Sequence, residues 1–574
     1  MKIIGKNVVE GIAIGTVQYI QDSFEELLQE YGVDDPQYEK LKYEKALSEA
    51  VMQLKVIVSK AKEANNNEQV QIMEAHLFML QDPMLDDRIN QLIELGESAP
   101  KAVMKASDEM ANMLGSLEDA YLRERAADVK DVGKRLIRRI FGIEEPKIDR
   151  EGIILCGEDI EPSLIANLSS DCVSGIIMGN GSSTSHAVII AKAKGIVTIV
   201  GIGTAINDFE NGTEVIIDGY EGSLILKPSI EEMKLYQERH EIEKQKKAYY
   251  LSLSELPAVT KDGFNVTLAA NIGNPKDIDD ALKFGCRGVG LYRTEFIFMG
   301  KKQLPTEDEQ FLAYKYVVEK ANGQLCVIRT MDIGGDKPLD YLSIGKEENP
   351  FLGWRAIRIC LERTDIFITQ IKAILRASVY GKVAIMLPMI INFEEIVQAK
   401  ALIKRASNEL TQSSIAHANN VQIGIMVETP AAAIMASVYA KEVDFFSIGT
   451  NDLVQYTLAV DRGNQKVSYL YDHFNIAVIH LIAQVSEAAH ANGKWVGVCG
   501  EMASDPLAVP LFLEMGIDEL SMSAPSIPKI KEAIRNCRRD GEILKHVLTL
   551  TEASKIREFL SGTILANNIN DTIN

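Results

Sequence analysis

Four arginines stand where a small, multiply charged oxyanion could be gripped. They are Arg293 in "GLYRTEFIFM", Arg329 in "RTMDIGGDKPL", Arg355 in "GWRAIR" and Arg462 in "DRGN". A guanidinium presents a planar fork of donors that matches carboxylate and phosphate geometry. Two acids accompany them, Glu428 in "VETP" and Asp452 in "GTNDL". Both are hard oxygen ligands. They suit Mg²⁺, which takes one or two protein carboxylates and fills its shell with substrate oxygens and water. A substrate carrying both a phosphate and a carboxylate would satisfy this set. The competing reading is that the acids and arginines merely pair with one another as salt bridges, but four arginines are more than two carboxylates need.

Two further residues could carry chemistry. Cys499 in "VGVCGEMA" is either an inert buried thiol or, at the end of a strand in a polar site, a proton donor of tunable acidity. His186 closes "GSSTSH" and precedes "AVIIAKAKG", which reads as a short helix ending at Gly195. Ser183, Thr184 and Ser185 are its N-cap candidates. His186 then sits in the first helical turn, where free N–H groups and the positive end of the dipole would stabilise a phosphate carried on the imidazole. A capping or core histidine is the alternative. No nearby His or Cys supplies companion metal ligands, and the stretch has no Walker A lysine motif, so nucleotide binding has no support there.

These residues need a scaffold. After "PAVTKDG" eight short apolar runs alternate with helix-length segments: 266–270, 288–291, 325–329, 383–387, 423–427, 444–449, 495–498 and 519–523. That pattern predicts a (β/α)₈ barrel, whose chemistry lies just past the C-terminal ends of its strands. The residues there are Asn271, Arg293, Arg329 with Asp332, Pro388, Glu428, Asn451 with Asp452, and Cys499 with Glu501. Upstream, residues 1–20 read as short strands around Gly11 and Gly15. From Gly152, "GIILC", "VSGIIM", "IVTIVG" and "TEVIIDG" supply further strands, expected to join the first ones in a small α/β domain. Between them lies a helical insert. Asp35 caps its first helix, Pro36 opens it, and Leu47, Val51, Leu54 and Val58 recur at helical spacing. "NNNEQ" breaks that helix, and 68–81, 84–95, 100–116 and 119–141 read as further helices. The highly charged segment 229–253 reads as a linker helix.

At 574 residues the chain has room for three or four domains. A net charge of −20 argues against nucleic acid as the main partner and leaves room for a basic protein. Seven scattered cysteines, odd in number and without a CxxC pair, point to a reduced, cytoplasmic protein. No run of about 18 apolar residues predicts a transmembrane helix, and the N-terminus has no signal-peptide pattern.

Together the barrel motifs, with "NPFLGWRAIR", "IMLPMI", "FFSIGTNDLVQYTLAVDRGN", "EAHLFMLQDPML" and "RERAADVKDVGKRL", resemble the enzyme I family of the bacterial phosphotransferase system nearly end to end. The resemblance implies that His186 takes the phosphoryl group of phosphoenolpyruvate and passes it to the carrier protein HPr. It implies that Arg293, Arg329, Arg355, Arg462, Asn451 and Asp452 hold phosphoenolpyruvate, that Glu428 and Asp452 hold Mg²⁺, and that Cys499 protonates the enolpyruvate. It also implies four parts: a phosphohistidine α/β domain (1–22 and 145–228), a helical HPr-binding domain (23–144), a linker helix (229–256), and a phosphoenolpyruvate-binding barrel (257–574) that forms a homodimer. The chain departs from the family pattern at "HFNIAVIHL", where H-P-A-V-L-R-L is common, and at two positions that bear on His186. Ser183 replaces the arginine of the His loop, and Ile165 in "DIEPSLI" replaces a threonine. They motivate one alternative, a paralogue that senses or scaffolds phosphoenolpyruvate and HPr with weak transfer. The related dikinases and synthases need an ATP-binding domain for which this chain has no room.

Overall fold

The computed structural model describes residues 2–20, 24–63, 67–116, 120–143, 150–160, 162–167, 172–180, 186–299, 301, 303–334, 339, 341–342, 347–462, 464 and 466–573. The chain forms two compact units, 1–245 and 246–574.

In the first unit, eight strands form one mixed sheet. They are β1 (Lys2–Ile4), β2 (Lys6–Val9), β3 (Ile12–Tyr19), β4 (Ile153–Gly157), β5 (Val173–Met178), β6 (Val197–Val200), β7 (Glu214–Asp218) and β8 (Ser223–Leu226), ordered β1-β8-β7-β3-β4-β5-β6-β2. The N-terminal strands do join the later ones: β3 pairs parallel with β4 and antiparallel with β7. Gly15 lets β3 pass close to the chain at Gly152, because a Cβ there would strike the Gly152 carbonyl.

Between β3 and β4 the described residues are mostly helical. The helices Pro36–Glu63, Asn67–Leu80, Pro83–Glu94, Ala99–Gly115 and Ala120–Phe141 share a core that includes Leu54, Met73, Ile89, Val103, Val132 and Leu136. Asp35 Oδ1 accepts from the Gln37 N–H at 2.9 Å, as its place before Pro36 predicts. Asp82 does the same for Met84 at 2.8 Å. The break expected at "NNNEQ" falls partly on residues 64–66, outside the described residues. The helix after the His loop spans His186–Ala193 and ends as expected at Gly195, whose φ of +66° suits glycine.

The predicted linker is one helix, Ile230–Ser252. Within the first unit, Arg239 pairs with Asp218 at 3.0 Å, and His240 Nδ1 hydrogen-bonds the Ile12 carbonyl at 3.0 Å. Within the second unit, the buried Lys531 ammonium donates to the carbonyls of Leu253 (3.0 Å) and Ser254 (2.7 Å), just past the helix end.

The second unit is a closed, all-parallel barrel of eight strands: β9 (Thr267–Ile272), β10 (Val289–Arg293), β11 (Cys326–Arg329), β12 (Val383–Leu387), β13 (Gln422–Val427), β14 (Phe445–Gly449), β15 (Trp495–Cys499) and β16 (Glu519–Met522). All eight expected strands are present within two residues of their expected ends. Alternate residues face in and out. Ile425 and Val427 pack outward in the main strand–helix core, while Met426 between them joins an interior cluster with Leu291, Met386, Phe445 and Cys499. Phe445 stacks on Trp495 with ring centroids 4.4 Å apart. Gly424 makes room for that stack, since a Cβ there would lie 2.6 Å from the Phe445 ring. Among the described residues, no helix is long and apolar enough to cross a membrane.

Candidate active site

A cavity of about 400 Å³ opens at the C-terminal end of the barrel. Arg293, Arg329, Glu428 and Cys499 reach it as the last residues of β10, β11 and β15 and the first beyond β13. Asn451 and Asp452 come from the first turn of the helix Thr450–Leu458, directly after β14. Arg355 and Arg462 arrive on longer excursions of the chain. With Asp332 and Glu501, ten of the barrel residues singled out in the sequence thus line one space. Asn271 and Pro388, also at strand ends, do not. Asn271 is instead tied to β16, donating to the Ser521 carbonyl at 3.2 Å.

The arginines divide into two kinds. Arg329 and Arg355 are buried and held by acids. Arg329 Nη2 lies 2.8 Å from Glu295 Oε1 and 3.1 Å from Asp332 Oδ2. Arg355 Nη2 donates to both oxygens of Asp332, at 2.9 and 3.1 Å, and Arg355 Nη1 reaches the Tyr456 hydroxyl at 3.2 Å. By contrast, the Arg293 guanidinium has no hydrogen-bond partner among the described residues. Salt-bridge pairing is therefore real at two arginines, but the acids that hold them are Glu295 and Asp332. Their role is to fix where the two forks point, since an oriented guanidinium gives up less freedom when it binds.

Glu428 and Asp452 hold neither fork closely, Asp452 Oδ2 lying 3.9 Å from Arg355 Nη2. Glu428 is buried, with one oxygen accepting from the Met389 N–H at 2.5 Å. Met389, two residues past the end of β12, adopts φ +57°, unusual for a residue with a side chain. Burial raises the Glu428 carboxyl above the usual carboxylate range, and the charges of Asp452 and Asp332 push it the same way against Arg329 and Arg355. Two carboxylates that repel each other at a cavity wall fit a divalent cation. No group of three or more His, Cys, Asp or Glu suited to a metal occurs among the described residues. A two-carboxylate set leaves most of the shell to substrate and water, the habit of Mg²⁺. Cys499 is 2% exposed, and burial pushes its thiol up to about 11, so it stays protonated.

Three family models cover most of the chain. Residues 247–539 match the PEP-binding domain of PEP-utilising enzymes, residues 4–125 their N-terminal region, and residues 149–222 their mobile domain. The chain belongs to the PEP-utilising enzymes. Among its relatives within that family is a phosphoenolpyruvate-protein phosphotransferase of Bacillus sp. (strain S), 44% identical over 93% of each chain. One from Geobacillus stearothermophilus is 44% identical over 92% of this chain and 93% of the relative. Another from Haemophilus influenzae is 45% identical over 91% and 92%.

In this PEP-utilising enzyme, several cavity residues carry no charge pattern that a sequence reading could catch. Leu291 and Met426 line it from inside the barrel, and Phe296, Met299 and Phe351 from its rim. Met426 had one available signal, its place two residues before Glu428 on the same strand face. Glu295 had another, an acid two residues past the strand-end Arg293. In the first unit, Ile165 is fully buried and packs in the core beneath the sheet and helices. Ser183, Thr184, Ser185 and the side chain of His186 lie outside the described residues.

Proposed function

We infer that this chain is a phosphoenolpyruvate–protein phosphotransferase. It moves the phosphoryl group of phosphoenolpyruvate to His186 and then to the histidine of HPr, releasing pyruvate, as the first step of phosphotransferase sugar uptake. What carries the reading is the convergence on one cavity of four arginines, two acids and a protonated thiol. Relatives bearing that activity's name across nearly the whole chain support it.

Arg329 and Arg355, pre-oriented by Glu295 and Asp332, receive the phosphate and carboxylate together with Arg293, Arg462, Asn451 and Asp452. Mg²⁺ held by Glu428 and Asp452 supplies, when bound, positive charge against the phosphate oxygens in the loose transition state of phosphoryl transfer. The arginines oppose the same charge as the phosphorus–oxygen bond breaks toward an imidazole nitrogen of His186. The enolate left behind takes a proton at C3 from Cys499 and becomes pyruvate. Collapse of the enol to the ketone makes the transfer favourable enough to load a histidine.

The parts follow. Residues 1–22 with 145–228 carry His186, residues 23–144 dock HPr, and 229–256 link them to the barrel, 257–574, which pairs with a second copy. His186 alternates between the barrel cavity and HPr, with the linker as the pivot. Free cysteines throughout support a cytoplasmic setting.

Calorimetric titration of His186→Ala with phosphoenolpyruvate and Mg²⁺ tests the cavity assignment. Binding should persist in that variant and weaken at least tenfold when Arg293→Ala is added. Equal affinity in the two would contradict it.

A further inference from the structure

Cys499 has a neighbour to which no role has been given. Ser447 sits in the middle of β14 with its side chain turned into the barrel, and it is 3% exposed. In the strand register Gly449 is the partner of Cys499 and Ser447 the partner of Gly497, so Ser447 and Cys499 are diagonal neighbours on the inward face. The Ser447 hydroxyl donates to Cys499 Sγ at 3.6 Å. It has no other hydrogen-bond partner among the described residues. A hydroxyl inside a barrel costs free energy unless it is bonded. Here the sulfur is the group that satisfies it.

We propose that Ser447 is a positioning residue for proton transfer by Cys499. The inference rests on the assignment of Cys499 as the group that protonates the enolpyruvate. By occupying a lone pair of Sγ from within the barrel, the Ser447 O–H turns the S–H away from it and toward the cavity. When the enolate forms, its C2=C3 electron pair takes the proton from sulfur. A C3–H bond forms, the S–H bond breaks, and the enolate oxygen becomes the carbonyl of pyruvate. The bonding pair stays on sulfur as a thiolate, which the Ser447 hydrogen bond then stabilises more strongly than it did the thiol, since hydrogen bonds to ions are the stronger ones. Arg293 and Arg329 favour that charge as well, and Glu428 opposes it. Water entering the cavity restores the proton. In the reverse direction the same thiolate removes a proton from the methyl group of pyruvate.

Exchange of the methyl protons of pyruvate in D₂O, followed by NMR in the full chain with Mg²⁺, reads this step without the phosphoryl transfer. In Ser447→Ala the exchange should slow roughly 10- to 100-fold, the span expected for losing one hydrogen bond to a charged group. The KM for phosphoenolpyruvate should stay within about twofold, which also reports that the barrel is intact. Ser447→Thr, which keeps the hydroxyl, should retain most of the exchange. Cys499→Ala should abolish it. Unchanged exchange in Ser447→Ala, with Cys499→Ala inactive, would overturn the role of Ser447 alone. Full exchange in Cys499→Ala would overturn the cysteine assignment and the Ser447 role together. Equal losses in the alanine and threonine variants would show that packing, not the hydroxyl, matters.

Discussion

Asp332 holds Arg355 through both of its carboxylate oxygens, with three contacts between 2.9 and 3.2 Å. Both side chains are essentially buried, at 1% and 2% exposure. The pair therefore fixes one arginine of the cavity before any substrate arrives. Asp332 also lies 3.1 Å from Arg329, so one carboxylate orients two guanidinium groups.

Removing that charge should be costly. Asp332→Asn breaks the close buried pair and leaves Arg355 with only the more distant Asp452, 3.9 Å away, and breaking a buried pair typically costs about 3–5 kcal/mol. Urea unfolding of the barrel should show a loss of that order, and the KM for phosphoenolpyruvate should rise several-fold because the fork is no longer held.

The two-site division of labour predicts a split between half-reactions. Glu428→Ala or Asp452→Ala should abolish phosphorylation of His186 by phosphoenolpyruvate. Transfer back from phospho-HPr to His186 should survive, because that step uses the other unit. Radiolabel on the protein, supplied from each donor in turn, measures both.

Glu519 gives a pH prediction. It begins β16 inside the barrel, and burial, with Asp518 adding to it, pushes its carboxyl up to about 7 from an ordinary 4.5. The folded state therefore binds a proton that the unfolded chain releases between those values. Stability attributable to this group is full below about pH 4.5 and declines as pH rises toward 7. The shift corresponds to at most about 3 kcal/mol. Glu519→Gln should raise the barrel's unfolding temperature at pH 8 and leave it nearly unchanged at pH 4.

Gly424→Ala should destabilise the barrel by about 1–3 kcal/mol, the usual penalty for overpacking, by pressing on the Phe445–Trp495 stack. Thermal unfolding should show it, together with a change in Trp495 fluorescence.

The barrel was legible because its strands are short apolar runs at regular spacing and its chemistry clusters at strand ends. Arg293, Arg329, Glu428 and Cys499 could be placed from that rule alone. What stayed hidden was the partnering. Nothing in the spacing distinguishes Glu295 and Asp332, which brace arginines, from Glu428 and Asp452, which face the cavity with no arginine held as tightly. Asn271 was expected past a strand end, but β9 runs on to Ile272, so its half-buried amide bonds across the sheet to Ser521. Ser447 was invisible for the opposite reason. Strands buried on both faces read as continuous apolar runs, and a lone serine within one does not reveal which way it points.

The central claim is that a phosphoryl group taken from phosphoenolpyruvate in the barrel cavity arrives on His186 in the other unit. The most direct measurement is to incubate the full chain with phosphoenolpyruvate and Mg²⁺, quench at high pH and map the modified residue by mass spectrometry. The account predicts one phosphate on His186, lost when HPr is added and absent in Arg329→Ala. Phosphate on another residue, or none on His186 while pyruvate is still formed, would contradict it.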